Sequence, residues 1–238
     1  MKELVSLDLE QFKAMGYYAV SEYDLSIELM MENAGYHLAK LIGKQFDSST
    51  AIKTGVGNGN NGDGGLVVAM RLAAWGYPVY LDLATEIDKE LPQKQLRRAL
   101  KFGARIDTEF IAPVWVDAYL SFSQRLPLNY DFNKKMLKSY HSFTYNISLD
   151  LPAGFLGDPN SIYFNANQVL TLAAPKTILN HLPSQIEIYV ADIGIPKAVY
   201  ERFNIAQSNR TNPANRIKFL ERGFYKTSTV VMNQNTKK

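Results

Sequence analysis

The chain has 238 residues, 46% of them hydrophobic and 21% charged, which suits one large domain or two small ones with a core that needs no cross-link. It has no cysteine, so a disulfide framework and a thiolate-held zinc or iron–sulfur centre are excluded, and three histidines leave little room for a histidine-rich metal site. A formal net charge of +3 is too small to imply nucleic acid or a membrane as a partner.

The first residues, MKELVSLDLEQFKAMGYYAV, are interrupted by Asp8, Glu10 and Lys13 and so lack the continuous apolar stretch of a secretory signal. No window has the length and apolarity of a membrane span, and a soluble, cytoplasmic protein is expected. From about residue 25 helical and strand patterns alternate. Leu29, Met30, Ala34, Leu38, Leu41 and Ile42 form a helical stripe that predicts a helix from Ile27 to Phe46, capped by Asp24 or Ser26. A short strand from Ala51 to Thr54 runs into the glycine-rich stretch GVGNGNNGDGG, and Leu66 to Trp75 reads as a helix closed by Gly76. Pro78 to Ala84 predicts a strand, Glu86 to Phe102 a helix stopped by Gly103, and Val114 to Tyr119 a strand. A helix follows over Phe132 to Ser139, then a strand from Phe143 to Leu149 that ends at Asp150. Gln168 to Ala174 and Ile186 to Ala191 give two more strands. This alternation predicts an α/β fold with a mainly parallel, doubly wound sheet. One domain over residues 1–226 is expected, followed by a polar tail from Thr227 to Lys238.

Six glycines, Gly55, Gly57, Gly59, Gly62, Gly64 and Gly65, fall between a strand and a helix. Glycine permits positive φ and close backbone approach, so successive N–H groups can converge on an anion at the N-terminus of the next helix. The run lacks the Gly-Lys-Ser/Thr of a Walker loop. Gly57-x-Gly59-x-x-Gly62 satisfies the dinucleotide pattern, which is weak by itself, and a loose surface turn is the alternative.

MENAG (Met31 to Gly35), GNGNNGDGG (Gly57 to Gly65), VDA (Val116 to Ala118), LDLPAG (Leu149 to Gly154), APK (Ala174 to Lys176) and ADIGIP (Ala191 to Pro196) form an ordered set. In order and spacing this set resembles the NAD(P)H-hydrate epimerases, the family of the YjeF N-terminal domain, over about residues 10 to 205. The resemblance implies a Rossmann-like three-layer sandwich, often dimeric, with its ligand at the C-terminal ends of the strands. It implies interconversion of the R and S hydrates of NADH and NADPH, with a separate dehydratase as pathway partner. Loss of the ring hydroxyl gives a ring cation that water attacks from the other face, which calls for an anion nearby and a proton acceptor.

Under the resemblance Asp150 and Lys176 are the catalytic candidates. Asp150 matches the substrate-contacting aspartate of the family's D-I-P-S-G; a cap of the turn after the strand is the alternative. Lys176 follows a strand and can meet a phosphate, assist proton transfer, or simply be solvated. Gly59, Asn60, Asn61, Gly62, Asp63 and Gly64 of the glycine-rich run are substrate-binding candidates, together with Ser121, Ser123 and Arg125. The resemblance also implies a potassium ion held by Asn61, Asp117 and the backbone of Ala153; a structural Asp117 bonded to loop amides is the alternative. His37, His141 and His181 match no expected catalytic position.

The departures fall in the site. Asn58 replaces the proline of the family's GPGNNGGDG, Asp63 stands one place early, and Gly64 occupies the usual Asp position. Ala153 stands where the family has serine, and YLSFSQRLP (Tyr119 to Pro127) replaces a glycine-rich substrate loop. A non-catalytic relative that keeps the fold as a nucleotide-binding or dimerising module, as in the family's messenger-RNA decapping scaffolds, is the second reading.

Overall fold

In the computed structural model, residues 6–141, 143–205 and the backbone of 217–219 are described. Helix α1 (Leu9–Tyr23) starts on a reciprocal cap, in which the Asp8 carboxylate accepts from the Gln11 N–H at 2.7 Å and Gln11 Oε1 accepts from the Asp8 N–H at 3.1 Å. It buries Phe12, Met15 and Ala19 on one stripe and ends at Asp24, whose φ of 49° is left-handed. Sequence reading began its alternation after this helix, although Asp8-x-x-Gln11 and the stripe were its signals. Ser26, not Asp24, caps α2 (Ile27–Gln45), accepting from the Leu29 N–H at 3.3 Å.

Thereafter come β1 (Ile52–Val56), α3 (Asn60–Ala74), β2 (Val79–Leu83), α4 (Glu90–Lys101), β3 (Arg105–Ile106), β4 (Val114–Ala118) and α5 (Tyr130–His141). They are followed by β5 (Tyr145–Leu149), β6 (Gln168–Leu172), β7 (Glu187–Ala191), α6 (Lys197–Arg202) and β8 (Ile217–Phe219). The short β3, α6 and β8 carry too little periodicity to be read in advance, and the polar tail from Thr227 lies outside the described residues.

Every described strand pairing is parallel, in the order β3-β2-β1-β4-β5-β6-β7-β8. The order reverses at β1, which has β2 on one side and β4 on the other, so a crevice opens beyond the carboxyl ends of these strands. Alternation along β4 builds the layers: Val114, Val116 and Ala118 pack with α2 and α3, whereas Trp115 faces α5 with Phe132 and Met136. Leu38, Ile42, Leu66 and Leu72 are fully buried in the first layer, each contributing about 1.5–3 kcal/mol.

Helix α3 begins six residues before the predicted Leu66, inside the glycine run. A Cβ on Gly62 would lie 1.8 Å from the Gly57 carbonyl oxygen, one on Gly64 2.8 Å from Leu149 Cδ2, and one on Gly65 2.5 Å from Ala118 Cβ. The glycines let the first turns of α3 press against the sheet, and none of the six has a positive φ.

Candidate active site

A pocket of about 470 Å³ sits over the reversal of the sheet, a volume suited to a small-molecule ligand. Its floor is Gly57 to Asn61 after β1, Tyr119 to Gln124 after β4, Asp150 after β5 and Leu172 at the end of β6. Phe12, Lys13, Gly16 and Tyr17 of α1 form one wall, and Ile193 and Ile195 another. The chain before α1 is fastened beside the site, because Leu7 pairs in parallel with Lys176 through Leu7 N–H to Pro175 O and Thr177 N–H to Leu7 O, both 2.9 Å.

Asp150 lines the pocket, is 2% exposed, and has the left-handed φ of 69°, a costly conformation for a residue with a side chain. Its Oδ1 accepts from Lys176 Nζ at 2.6 Å, from the Leu172 N–H at 3.2 Å and from Thr171 Oγ1 at 3.4 Å. Its Oδ2 accepts from the Ser121 hydroxyl. Lys176 is buried and does not line the pocket. Its ammonium donates to Asp150, to Thr171 Oγ1 at 2.8 Å and to Leu172 O at 3.2 Å, with the Phe12 ring centroid 3.7 Å away. Three acceptors occupy its three N–H groups. Burial pulls its pKa down and Asp150 offsets part of that. Lys176 therefore positions Asp150 from behind.

Asp117 follows from the register. Asp82, Gly55, Asp117 and Ser148 lie in one row across β2, β1, β4 and β5. Asp117 is buried and accepts from Ser148 Oγ at 2.8 Å, the Ala153 N–H at 2.9 Å and the Tyr119 N–H at 3.2 Å. No cation pairs with it among the described residues, and burial raises its pKa to about 7. Gly55 makes room for the Tyr119 ring, since a Cβ there would sit 2.0 Å from Tyr119 Cζ. The Tyr119 hydroxyl donates to Asp82 Oδ2 at 2.5 Å and accepts from Trp115 Nε1 at 3.2 Å. Lys135 and Lys53 reach the same Asp82 at 2.6 and 3.4 Å. Burial and Asp82 push the Tyr119 phenol well above its usual range, so this part of the pocket floor is a fixed neutral donor.

Of the other predicted residues, Gly59, Asn60, Asn61, Ser121 and Ser123 line the pocket, whereas Gly62, Asp63, Gly64 and Arg125 do not. Asn61 donates through Nδ2 to Leu120 O at 2.8 Å, and its Oδ1 is buried with no partner. Ala153 offers its N–H to Asp117 while its carbonyl accepts from the Phe164 N–H at 2.8 Å. Arg125 is exposed on the surface. Asp63 is fully buried among α2, α3 and α4, with no partner for either oxygen. Its pKa is raised to about 7, by burial first and then by Glu28 and Glu32. No histidine lines the pocket.

The sequence did not single out Gln124, and it marked Asn58 only as the replacement for the loop proline. Gln124 accepts from the Gly154 N–H at 2.6 Å and donates to Phe155 O at 3.0 Å, which ties the glycine-free loop to the turn after Asp150. Asn58 Oδ1 accepts from the N–H groups of Asp88 and Lys89, both at 3.2 Å, and its Nδ2 donates to Asp88. Where the family's proline would stiffen one loop, Asn58 joins two. No helix among the described residues is long and apolar enough to cross a membrane.

Residues 27–178 match the model of the family described as YjeF-related protein N-terminus. An NAD(P)H-hydrate epimerase of Anopheles gambiae is 27% identical over 215 residues, covering 85% of this chain and 90% of the mosquito protein. One of Dehalogenimonas lykanthroporepellens is 31% identical over 200 residues, covering 77% of this chain and 80% of the bacterial one. The crystal structure of the yeast protein YNL200c superposes with a TM-score of 0.77 at 20% identity, covering 87% of this chain and 98% of that one, which supports the fold. A family match over more than half of the sequence, on a sheet that reverses beneath a carboxylate-floored pocket, places this chain in the YjeF-related N-terminal family, to which it belongs with the NAD(P)H-hydrate epimerases.

Proposed function

We propose that this chain is an isomerase that interconverts the R and S hydrates of NADH and NADPH. The observation that carries the reading is Asp150, a carboxylate on the pocket floor at a strand end, in a strained conformation that four donors hold in place. In the reaction the ring C–O bond breaks, the hydroxyl leaves as water after taking up a proton from solvent, and a delocalised ring cation remains. A second water adds to the opposite face and gives up a proton, so protons and electrons balance. Asp150 faces the cation with negative charge and accepts the proton of the incoming water. Lys176 and Thr171 fix the carboxylate, and Ser121 links it to the glycine-free loop, so that loop is part of the site.

The residues present suit a potassium ion. Asn61 has a buried oxygen without a partner, and Asp117 is a buried carboxylate without a counter-cation. No group of three acidic, histidine or cysteine side chains that would favour a multiply charged metal occurs among the described residues. Asn61 and Asp117 would hold the ion; the Ala153 carbonyl already accepts one hydrogen bond and would add to it through its second lone pair. Bound there, potassium would offset the charge of Asp117 and steady the backbone around Tyr119 and Leu120.

Archaeal relatives from Thermofilum pendens and Archaeoglobus fulgidus are named bifunctional NAD(P)H-hydrate repair enzymes, and this chain covers 41% and 39% of their lengths. We infer a separate dehydratase as the pathway partner here, and a homodimer as the assembly. The test is epimerisation of R- or S-NADPH hydrate by purified protein, followed by chromatography against the spontaneous rate. Asp150→Ala should lower kcat by about 10²-fold or more. A folded protein that does not exceed the spontaneous rate would instead favour the non-catalytic binding module.

A further inference from the structure

The charged residues lining the pocket are Lys13, Lys89 and Asp150. Asp150 is matched by Lys176, but among the described residues Lys13 and Lys89 have no side-chain ion pair or hydrogen bond. The pocket therefore carries two uncompensated positive charges on separate elements, one on α1 and one at the entry to α4. Asn58 fixes the second by holding the Asp88 and Lys89 N–H groups against the loop after β1.

The face of α1 that meets the pocket carries Phe12, Lys13, Gly16 and Tyr17, a spacing that puts them on one side of a helix. A glycine in a helix interior is disfavoured, yet a Cβ on Gly16 would meet nothing within 4 Å. Packing within the protein does not demand this glycine. It leaves open space on the pocket side of α1, on the same face as Lys13 and Tyr17, the latter 64% exposed.

Resting on the reading that the pocket takes a nicotinamide dinucleotide, we propose that Lys13 and Lys89 bind the diphosphate joining its two nucleosides, and that the gap at Gly16 admits it. Two cations meet two negative charges, while Asp150 faces the ring. Because both lysines are exposed at the rim, the interaction weakens with salt.

The test uses ADP-ribose, which has the diphosphate and lacks nicotinamide, titrated by calorimetry into the full chain. Lys13→Ala and Lys89→Ala should each weaken binding about five- to tenfold, and Lys13→Arg should retain it. Gly16→Phe, which removes a helix-weakening glycine, should keep the fold and abolish binding. With NADPH hydrate, KM should rise in step in the alanine variants while kcat stays within about twofold, since neither lysine touches the reacting ring. Unchanged affinity and KM in both alanine variants would overturn the proposal and leave the epimerase reading intact. So would a wild-type chain that does not bind ADP-ribose. Loss confined to NADPH hydrate, with NADH hydrate unaffected, would also overturn it, because the lysines would then read the 2′-phosphate. If the wild type fails to epimerise but the lysine variants still lose ADP-ribose, the reaction is wrong and the diphosphate site stands.

Discussion

Asp63→Asn should stabilise this protein, and by an amount that depends on pH. Both oxygens of Asp63 are buried without partners. The nearest cations, Lys94 and Arg98 on α4, are already engaged with α2, Lys94 with Glu28 at 2.8 Å and Arg98 with Glu28 at 3.6 Å and Glu32 at 3.0 Å. Desolvation and the two glutamates therefore raise the carboxyl from 3.8 to about 7. A raised folded-state pKa means that the stability of the protonated form is fully present below the unfolded value and is lost as pH rises through the folded one. At about 1.4 kcal/mol per unit, the shift corresponds to a cost on the order of 4 kcal/mol above pH 7. Asparagine has nearly the same shape, lacks the charge and leaves equally few hydrogen bonds, so the difference isolates the ionisation. Urea unfolding should show the variant more stable by about that amount at pH 8, by roughly 1.5 kcal/mol at pH 5, and by almost nothing below about pH 3. The thermal midpoint at pH 8 should rise by on the order of 10 °C. Asp117 also titrates in this range, but it is present in both proteins and cancels in the comparison. A gap that does not vary with pH, or an Asp63→Asn variant less stable than the wild type at pH 8, would mean that the carboxylate has a partner and the reasoning is wrong.

Other substitutions test the packing and the site. Lys176→Met should cost about 3–5 kcal/mol, because it strands the buried carboxylate of Asp150. Asp150→Asn in the same chain should recover a part exceeding about 1 kcal/mol in a double-mutant cycle; strictly additive losses would show the pair to be uncoupled. Gly62→Ala and Gly16→Ala should have opposite signs, since one Cβ meets the Gly57 carbonyl and the other meets nothing. The first should lower stability by about 1–3 kcal/mol. The second should raise it by up to about 1 kcal/mol, both read from urea midpoints. If the proposed site holds potassium, the ion should raise the thermal midpoint more at pH 8 than at pH 5, because it would bind the ionised form of Asp117, whose pKa is raised to about 7. Asn61→Ala should remove that increment, and an equal response in the variant would place the ion elsewhere.

Strand-end residues were legible in advance because a strand has a period of two and a parallel sheet collects its carboxyl ends on one side. Asp117, Asp150 and the approach to Lys176 are such positions, and the structure brings Asp150 and Lys176 into contact. Burial was not legible. APK looks like a solvated lysine at a loop start, and only the parallel pairing of Leu7 beside it, with Phe12 above, puts Lys176 behind the pocket.

The glycine run misled for a different reason. Glycine signals a loop through local preference, but α3 starts at Asn60 because glycines alone fit against Gly57, Leu149 and Ala118. That register has a chemical consequence. On a helix one residue is about 100° of rotation, so an aspartate displaced by one place changes the neighbours it faces. Asp63 lies at such a displaced place relative to the family's loop, and its carboxyl is directed between α2 and α4 instead of into the pocket. Gly64, at the usual Asp position, does not line the pocket either, and a Cβ there would lie 2.8 Å from Leu149 Cδ2, so neither position adds a carboxylate to the lining. The lining then retains Asp150 as its one carboxylate, matched by Lys176, against the two unmatched lysines. The lining is thus positively charged through Lys13 and Lys89 whichever place the aspartate takes, which suits a phosphate-bearing ligand.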